Sequence, residues 1–558
     1  MSALTPAVPR GPSALARLIG LGSVFGKTIR DSRRAVLIVG GITGLLILVV
    51  AAAVVSQFST AQSRVEIGKL IETVPPILQG LAGRGYNVET LGGYIQYKYG
   101  GFFPLVTGLW SILALSGTLA TETRRGSMDF VASGPISRRR LALDKLSAQV
   151  GMVALAMAFV ALTTWGAGVA FATLPGDEIP FSAAFGYAFW LFLMALAAGS
   201  VAFAVAPFLG RGAALGIAGG VMFAGFILNG YRTAFPELDP FAALTWFGWT
   251  DNHIPLGGQY DWGSLVWVAL FAIALFGAGV EAFARRDLGA TGSLPLPRLP
   301  TVLMGVRSPL GRATSERLGA ALAWGVGIGF FGLAMSSVGD TFQQQLRDSP
   351  DFMLALQNLF RGVDFDVSGA FLELVFIEMG LILAGLAAAS LVSGWASDET
   401  TGRLELILAT PLARVRWLLQ SGLAVMAGIV IVTALVMGGI ALGTWSAGTD
   451  TLTPVIGALA VGLYAAALAG VGIAIGAIFG AGVAGTAVVA ITLLTWLLDF
   501  LVPSLGLPDW LHQLALSAHL GQPMVGAWDG TGVALCLALA VGGLGIGALA
   551  FSRRDLRG

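Results

Sequence analysis

The chain has 558 residues, 56% of them apolar and only 11% charged, with a mean hydropathy of +0.81. That balance sets it apart from soluble domains and predicts an all-α polytopic membrane protein. The net charge of +1 does not point to nucleic acid, and none is expected as a partner. A single cysteine, Cys536, excludes a disulfide framework or a thiolate metal cluster within one chain.

In chain order, residues 1–34 read as a cytoplasmic tail without a cleavable signal, because the segment before the first apolar run is too long. Leu15, Leu18, Gly22, Phe25 and Ile29 share one helical face, with Arg17 and Lys27 opposite, which predicts an amphipathic helix lying in the membrane interface. Gly26-Lys27-Thr28 resembles the end of a phosphate-binding loop. That loop needs glycine at position 21, where Leu21 stands, and no buried strand precedes it. No nucleotide site and no bound cofactor are expected in this chain, which therefore reads as non-enzymatic.

Apolar runs of about 20 residues, long enough to cross a bilayer, then alternate with polar loops. The first six spans are expected at about 35–55, 101–121, 146–172, 182–208, 211–230 and 263–283, and the next six at about 318–337, 374–396, 418–446, 454–479, 481–501 and 530–551. Twelve helices put both termini on one side of the membrane. Lys and Arg crowd the N-terminus, the 121–149 loop, the 284–317 linker, the 398–417 loop and the C-terminus. The other side keeps only Arg64, Lys69, Arg84, Lys98, Arg232, Arg347 and Arg361. The first set is therefore expected to be cytoplasmic. On the outside, Tyr86, Tyr94, Tyr97 and Tyr99, and later Trp246, Trp249 and Trp262, are expected to anchor the interface. His253, His512 and His519 lie in polar loops without metal-ligand spacing. The stripes Gly212-x3-Gly216-x3-Gly220 and Gly472-x3-Gly476-x3-Gly480 predict close helix packing.

Two polar islands interrupt this pattern and repeat one another. One slide along the chain pairs Glu122 with Asp398, Gly126 with Gly402, Asp129 with Glu405, Pro135 with Pro411 and Arg138 with Arg414. Further repeats link Phe283-Ala-Arg-Arg-Asp-Leu with Phe551-Ser-Arg-Arg-Asp-Leu, and Gly210–Asn229 with Gly480–Asp499. The expected organisation is two tandem six-helix halves, 35–288 and 318–558, joined by a cytoplasmic linker at 289–317. A short helix can transmit a push only if both its ends are held. The glycines permit a close turn at the start of each island, and proline and arginine mark its exit.

With these motifs the chain resembles the ABC-2 type permeases, in the duplicated single-chain form of actinobacterial exporters of polyketide antibiotics such as tetronasin. The resemblance implies a multi-pass protein of the bacterial plasma membrane that exports a lipophilic or amphipathic small molecule by alternating access. It also implies two copies of a separate ABC ATP-binding subunit, with ATP and Mg held there. Each island would be a coupling helix docking on that subunit, through Glu122, Arg125, Gly126, Asp129, Pro135 and Arg138 in one copy. Asp398, Glu399, Gly402, Glu405, Pro411 and Arg414 would serve in the other. The copies are unequal, since Arg125 faces Thr401 and Lys145 faces Ser421. The alternative is an ion-coupled secondary transporter using intramembrane carboxylates. Glu373, Glu378 and Asp499, with Asn229 opposite Asp499, are the candidate path residues under either reading. Membrane lipids are the remaining expected partners.

Overall fold

The computed structural model describes residues 23–72, 74, 79–80, 83–124, 137–285, 308–347, 353, 369–400, 402–505 and 508–554. The chain divides into two compact units, Met1–Leu296 and Pro297–Gly558. The main helices of the first are α1 (Val24–Gln57), α2 (Ala61–Glu72), α3 (Leu91–Tyr99), α4 (Phe102–Arg124), α5 (Arg138–Phe171), α6 (Phe181–Tyr231) and α7 (Trp262–Arg285). In the second they are α8 (Pro309–Ser337), α9 (Gly339–Arg347), α10 (Glu378–Thr400), α11 (Arg403–Leu408), α12 (Arg414–Ala447), α13 (Leu459–Phe479), α14 (Ala484–Leu505) and α15 (Gly530–Arg553). Among the described residues, 11 helices are long and apolar enough to cross a membrane. In addition, α3 and Phe102–Gly117 meet the test together as a pair bent by 52°.

Local chemistry explains several boundaries. Ser23 caps α1 by accepting a hydrogen bond from the Gly26 amide at 3.0 Å, satisfying one of the free donors of a helix start. Gly26-Lys27-Thr28 is therefore the first turn of a capped membrane helix. Phe25 and Ile29 belong to the same unbroken helix as the span, while Leu15, Arg17, Leu18 and Gly22 lie outside the described residues. The 91–99 stretch, read as loop from its tyrosines, is a helix instead. Tyr99 is buried, donates to the Leu46 carbonyl at 3.0 Å and stacks on Phe103. It pins α3 to α1 rather than anchoring an interface. Trp246 is likewise buried, whereas Trp262 stays half exposed.

Helices in lipid gain little from apolar burial against one another, so close backbone approach at small residues decides their contacts. A Cβ on Gly40 would lie 3.0 Å from the Ala156 carbonyl, and one on Gly329 would lie 2.6 Å from that of Leu435. These positions bring α1 onto α5 and α8 onto α12. The expected stripe at Gly472 and Gly476 does pack: a Cβ on Gly476 would meet Ala484 at 2.7 Å and Trp395 at 2.8 Å. The stripe on α6 does not, for Gly216 and Gly220 have nothing within 4 Å.

The units also differ at the junction of two consecutive spans. In the second, Gly480 takes φ +114° and a 3-10 turn, Ala481–Val483, starts α14. In the first, the backbone stays helical through 51 residues, across Pro207 and the expected break at Gly210–Gly212. Helical geometry makes that length about 75 Å, more than twice the hydrocarbon thickness of roughly 30 Å. Its two candidate spans are Phe181–Leu209 and Ala214–Tyr231.

Each unit has one loop-rich end, and there a proline turn recurs. Pro255–Gly257 leads to Gly258 at φ +86°, closed by an Ile254–Gln259 bridge. Pro523–Val525 leads to Gly526 at φ +83°, between the two-residue strands Gly521–Gln522 and Ala527–Trp528. The Leu256 carbonyl rests against Gly92 and the Met524 carbonyl against Gly369. These short pairings are the exceptions to an all-helical pattern among the described residues.

Candidate docking site and polar clusters

The second island is built from α11. Its helix predecessor, α10, ends at Thr400, and Gly402 turns the chain at φ +72°, donating its amide to the Glu399 carbonyl at 3.0 Å. That conformation costs an L-residue with a Cβ roughly 1 kcal/mol or more, so glycine is required there for a reason separate from space. The six-residue helix Arg403–Leu408 follows, with Leu404 buried beneath it and Leu406 76% exposed. Arg403, Glu405 and Pro411 are exposed as well. The island therefore presents charge and one apolar side chain outward from a buried foot.

Both ends of that short helix are tied to the end of α15. Arg554 pairs with Glu399 before the helix, while the Arg554 carbonyl accepts from Arg414 Nη1 at 2.9 Å after it. The Arg554 guanidinium also donates to the carbonyls of Gly476 and Ala477 at 2.8 and 3.1 Å, in the last turn of α13 where helical donors run out; that of Gly476 accepts from the Gly480 amide as well. Asp398, buried at the end of α10, lies 3.8 Å from Arg312 of α8. Arg554 was not singled out as a site residue from sequence. The repeated Phe-x-Arg-Arg-Asp ending held the signal, read there only as duplication.

For the first island, Arg125, Gly126, Asp129 and Pro135 lie outside the described residues, and Glu122 is placed only as backbone in the last turn of α4. Arg138 opens α5, whose start is capped by the Ser137 hydroxyl accepting from the Arg140 amide at 3.3 Å. Arg139 reaches Glu281 near the end of α7, which Arg285 also holds at 2.6 Å. In each unit, then, the helix leaving the island is bound to the end of that unit's last helix.

The candidate path residues occupy separate polar clusters at the loop-rich ends. Asn229 donates to Asp251 at 3.1 Å, and Asp251 pairs with Arg232 at 2.5 Å. Glu373, in the π-helical turn that begins the α10 span, accepts from the Met524 amide at 2.8 Å. Asp499 faces His512 at 3.2 Å and accepts from Ser517. Glu378 is exposed on the first turn of α10. Glu373 and Asp499 thus hold different points of the one segment that joins α14 to α15, and Arg361, the arginine considered as a partner, lies outside the described residues. Sequence reasoning missed the most deeply buried ion pair among the described residues. Arg64 and Asp177, both almost wholly buried, meet at 3.0 Å. Asp177 also accepts from the Leu91, Thr173 and Leu174 amides. No group of three potential metal ligands occurs among the described residues.

Long apolar helices with exposed, braced turns at one end define a multi-pass membrane protein, and the comparisons narrow the class. A family described as the multidrug efflux system permease Rv1217c, C-terminal domain, matches residues 306–552. Over 498 residues the chain is 30% identical to the multidrug efflux system permease protein Rv1217c of Mycobacterium tuberculosis (strain ATCC 25618 / H37Rv), covering 86% of this chain and 85% of the relative. The chain belongs to this family of multidrug efflux permeases, and is a multi-pass protein of the bacterial plasma membrane.

Proposed function

We propose that the chain is the transmembrane subunit of an ATP-driven exporter of the ABC-2 type, moving lipophilic or amphipathic drug-like compounds outward. The single observation that carries this reading is α11: a short exposed helix with a buried foot and both ends fastened by Arg554. A rigid projection of this kind transmits a push from a partner, where a free loop would absorb it. The partner is a separate ABC ATP-binding subunit in two copies, one beneath each island, and the ATP and Mg belong to it. This chain supplies no catalysis of its own.

In this reading the chain has a tail at 1–34, six-helix halves at 35–288 and 318–558, and a linker at 289–317. Twelve spans place both termini in the cytoplasm, with α3 and α4 forming one bent crossing. The recurring proline turns beside Gly92 and Gly369 support a tandem duplication. Closure of the ATPase pair would push the islands and reorient the halves, giving alternating access.

The test is Glu405→Arg in the reconstituted assembly. Reversing a charge at a docked interface costs on the order of 2–5 kcal/mol, so the ATPase should no longer co-purify or respond to drug. The exposed site should leave the melting temperature of the permease unchanged. Normal drug-stimulated hydrolysis in the variant would refute docking through α11. Transport that instead collapses with the proton gradient while ATP is present would favour ion coupling through Glu373, Glu378 or Asp499.

A further inference from the structure

Arg317, near the start of α8, is only 3% exposed. Its Nη1 donates to the Ala313 carbonyl one turn back. Nε and Nη2 are buried and, among the described residues, meet no acceptor. A guanidinium stays charged in a protein, and burying one with donors unspent costs free energy. No ligand meets that need from outside, because both nitrogens are closed off from solvent. Only a group already inside the unit can reach them.

Asp398, at the end of α10, is the acid placed to do so. It is 6% exposed and lies within electrostatic reach of Arg317, as do Glu316 and Arg312 on α8 itself. A Cβ on Gly394, one turn before Asp398, would lie 3.9 Å from Arg317 Cγ. The arginine stem thus packs across the face of α10 that carries the carboxylate. Asp398 is under-satisfied as well. Among the described residues its one ion-pair contact is the exposed Arg312, at 3.8 Å, too long for a hydrogen bond. Arg312 spends its Nε on the exposed Glu316 at 3.0 Å, and Arg403 adds a further positive charge in reach of Asp398. A spare buried donor and a spare buried acceptor therefore face each other across one helix contact, unjoined.

We infer that Asp398 is shared between two arginines of α8, held loosely by Arg312 in this conformation and taken by Arg317 when the end of α10 moves. α10 leads through Gly402 into α11, so a push on that short helix arrives first at Asp398. Arg317 is then a positioning residue: it stabilises the displaced α10 and leaves the resting one strained by its own unpaired charge. The exchange rests on the docking reading of α11, whereas the sharing is a property of this chain alone.

Thermal midpoints of the full chain in lipid nanodiscs test the sharing. Arg317→Met removes the stranded charge and keeps an apolar stem, so it should melt no lower than wild type. Arg312→Ala should cost little, because Asp398 passes to Arg317. The double variant leaves Asp398 buried without either arginine, and its midpoint should fall by several degrees beyond the sum of the two. Adding Asp398→Asn to each protein should restore additivity. A midpoint well below wild type in Arg317→Met, or additive single and double variants, would overturn the sharing. Disulfide cross-linking of Arg317→Cys with Asp398→Cys, in a Cys536→Ala background, tests the exchange in the reconstituted assembly. MgATP with orthovanadate should speed the cross-link several-fold over the nucleotide-free assembly. An unchanged rate while orthovanadate blocks hydrolysis would overturn the exchange and leave docking through α11 standing. An assembly without vanadate-sensitive hydrolysis would sink the ATPase reading and the exchange with it, while the midpoints still decide the sharing.

Discussion

The loop-rich ends of the two units solve one problem with different chemistry. Each must fasten long connecting segments to helix ends where backbone amides have lost their partners. The first unit does so with charge: Arg64 and Asp177 pair in the interior, and Asp177 gathers the amides of Leu91, Thr173 and Leu174. The second uses Glu373 on one amide, that of Met524, with Asp499 holding Ser517 and facing His512. A buried pair adds little net stability when intact, yet removing one partner strands a charge. The first end should therefore be brittle to mutation and the second tolerant.

The largest effect expected from this contrast is at Asp177. Asp177→Ala leaves the Arg64 guanidinium buried and unpaired, which costs about 3–5 kcal/mol and should lower the thermal midpoint in detergent steeply. Glu373→Gln keeps an acceptor for the Met524 amide and should cost no more than about 1 kcal/mol. Equal shifts in the two proteins would break the comparison. Helix crossings give a second contrast. Gly439 of α12 abuts the backbone of Gly329, whereas Gly216 of α6 has open space around it. Gly439→Ala must force two backbones apart, for about 1–3 kcal/mol. Gly216→Ala should be neutral, or stabilising by roughly 0.5–1 kcal/mol through helix propensity. Comparable losses would mean that α6 is as tightly covered as α12.

A smaller loss is expected at Arg554. Arg554→Ala releases the partly exposed Glu399 and takes one donor from each of the buried Gly476 and Ala477 carbonyls, for about 1–2 kcal/mol. Its main effect should be faster proteolysis at Arg403, read by time-resolved digestion. An unchanged cleavage rate would show that α11 stands without its clasp.

The smallest effect is the pH dependence that His253 contributes in the first unit. Burial lowers the His253 pKa, opposed by its Asp261 neighbour, and its Nδ1 accepts from the Asp261 amide at 3.0 Å. The unfolded chain, near pKa 6.5, then binds the proton more readily than the folded one. Stability is complete above that value and falls as pH drops from about 6.5 toward the lowered pKa. A thermal midpoint that falls below pH 6.5 in wild type and less so in His253→Gln would match this. The same acid response in wild type and His253→Gln would contradict it.

Much of the architecture was legible as composition and period. Apolar runs near 20 residues located the spans, since lipid requires each crossing to satisfy its own backbone. The paired islands were legible because an acid, a glycine, a second acid, a proline and an arginine recur at matched spacing. Gly402 illustrates how far such reading reaches: its turn followed from residue type, and its positive φ bears that out.

What the chain alone determined is therefore local: which segments are apolar enough to cross a membrane, which glycines turn, and which motifs recur. Tertiary structure decided the rest. Arg64 meets Asp177 across 113 positions, and Arg554 meets Glu399 across 155. No period or spacing encodes such pairings, because they depend on where separate helices end in space. The same reason explains Tyr99, whose amphipathic ring suits an interface or a core equally, and which the approach of α1 buried. It also explains the two glycine stripes, identical in spacing. One is filled by Trp395 and Val488 and the other is open, because small residues permit close approach but cannot by themselves supply the neighbour.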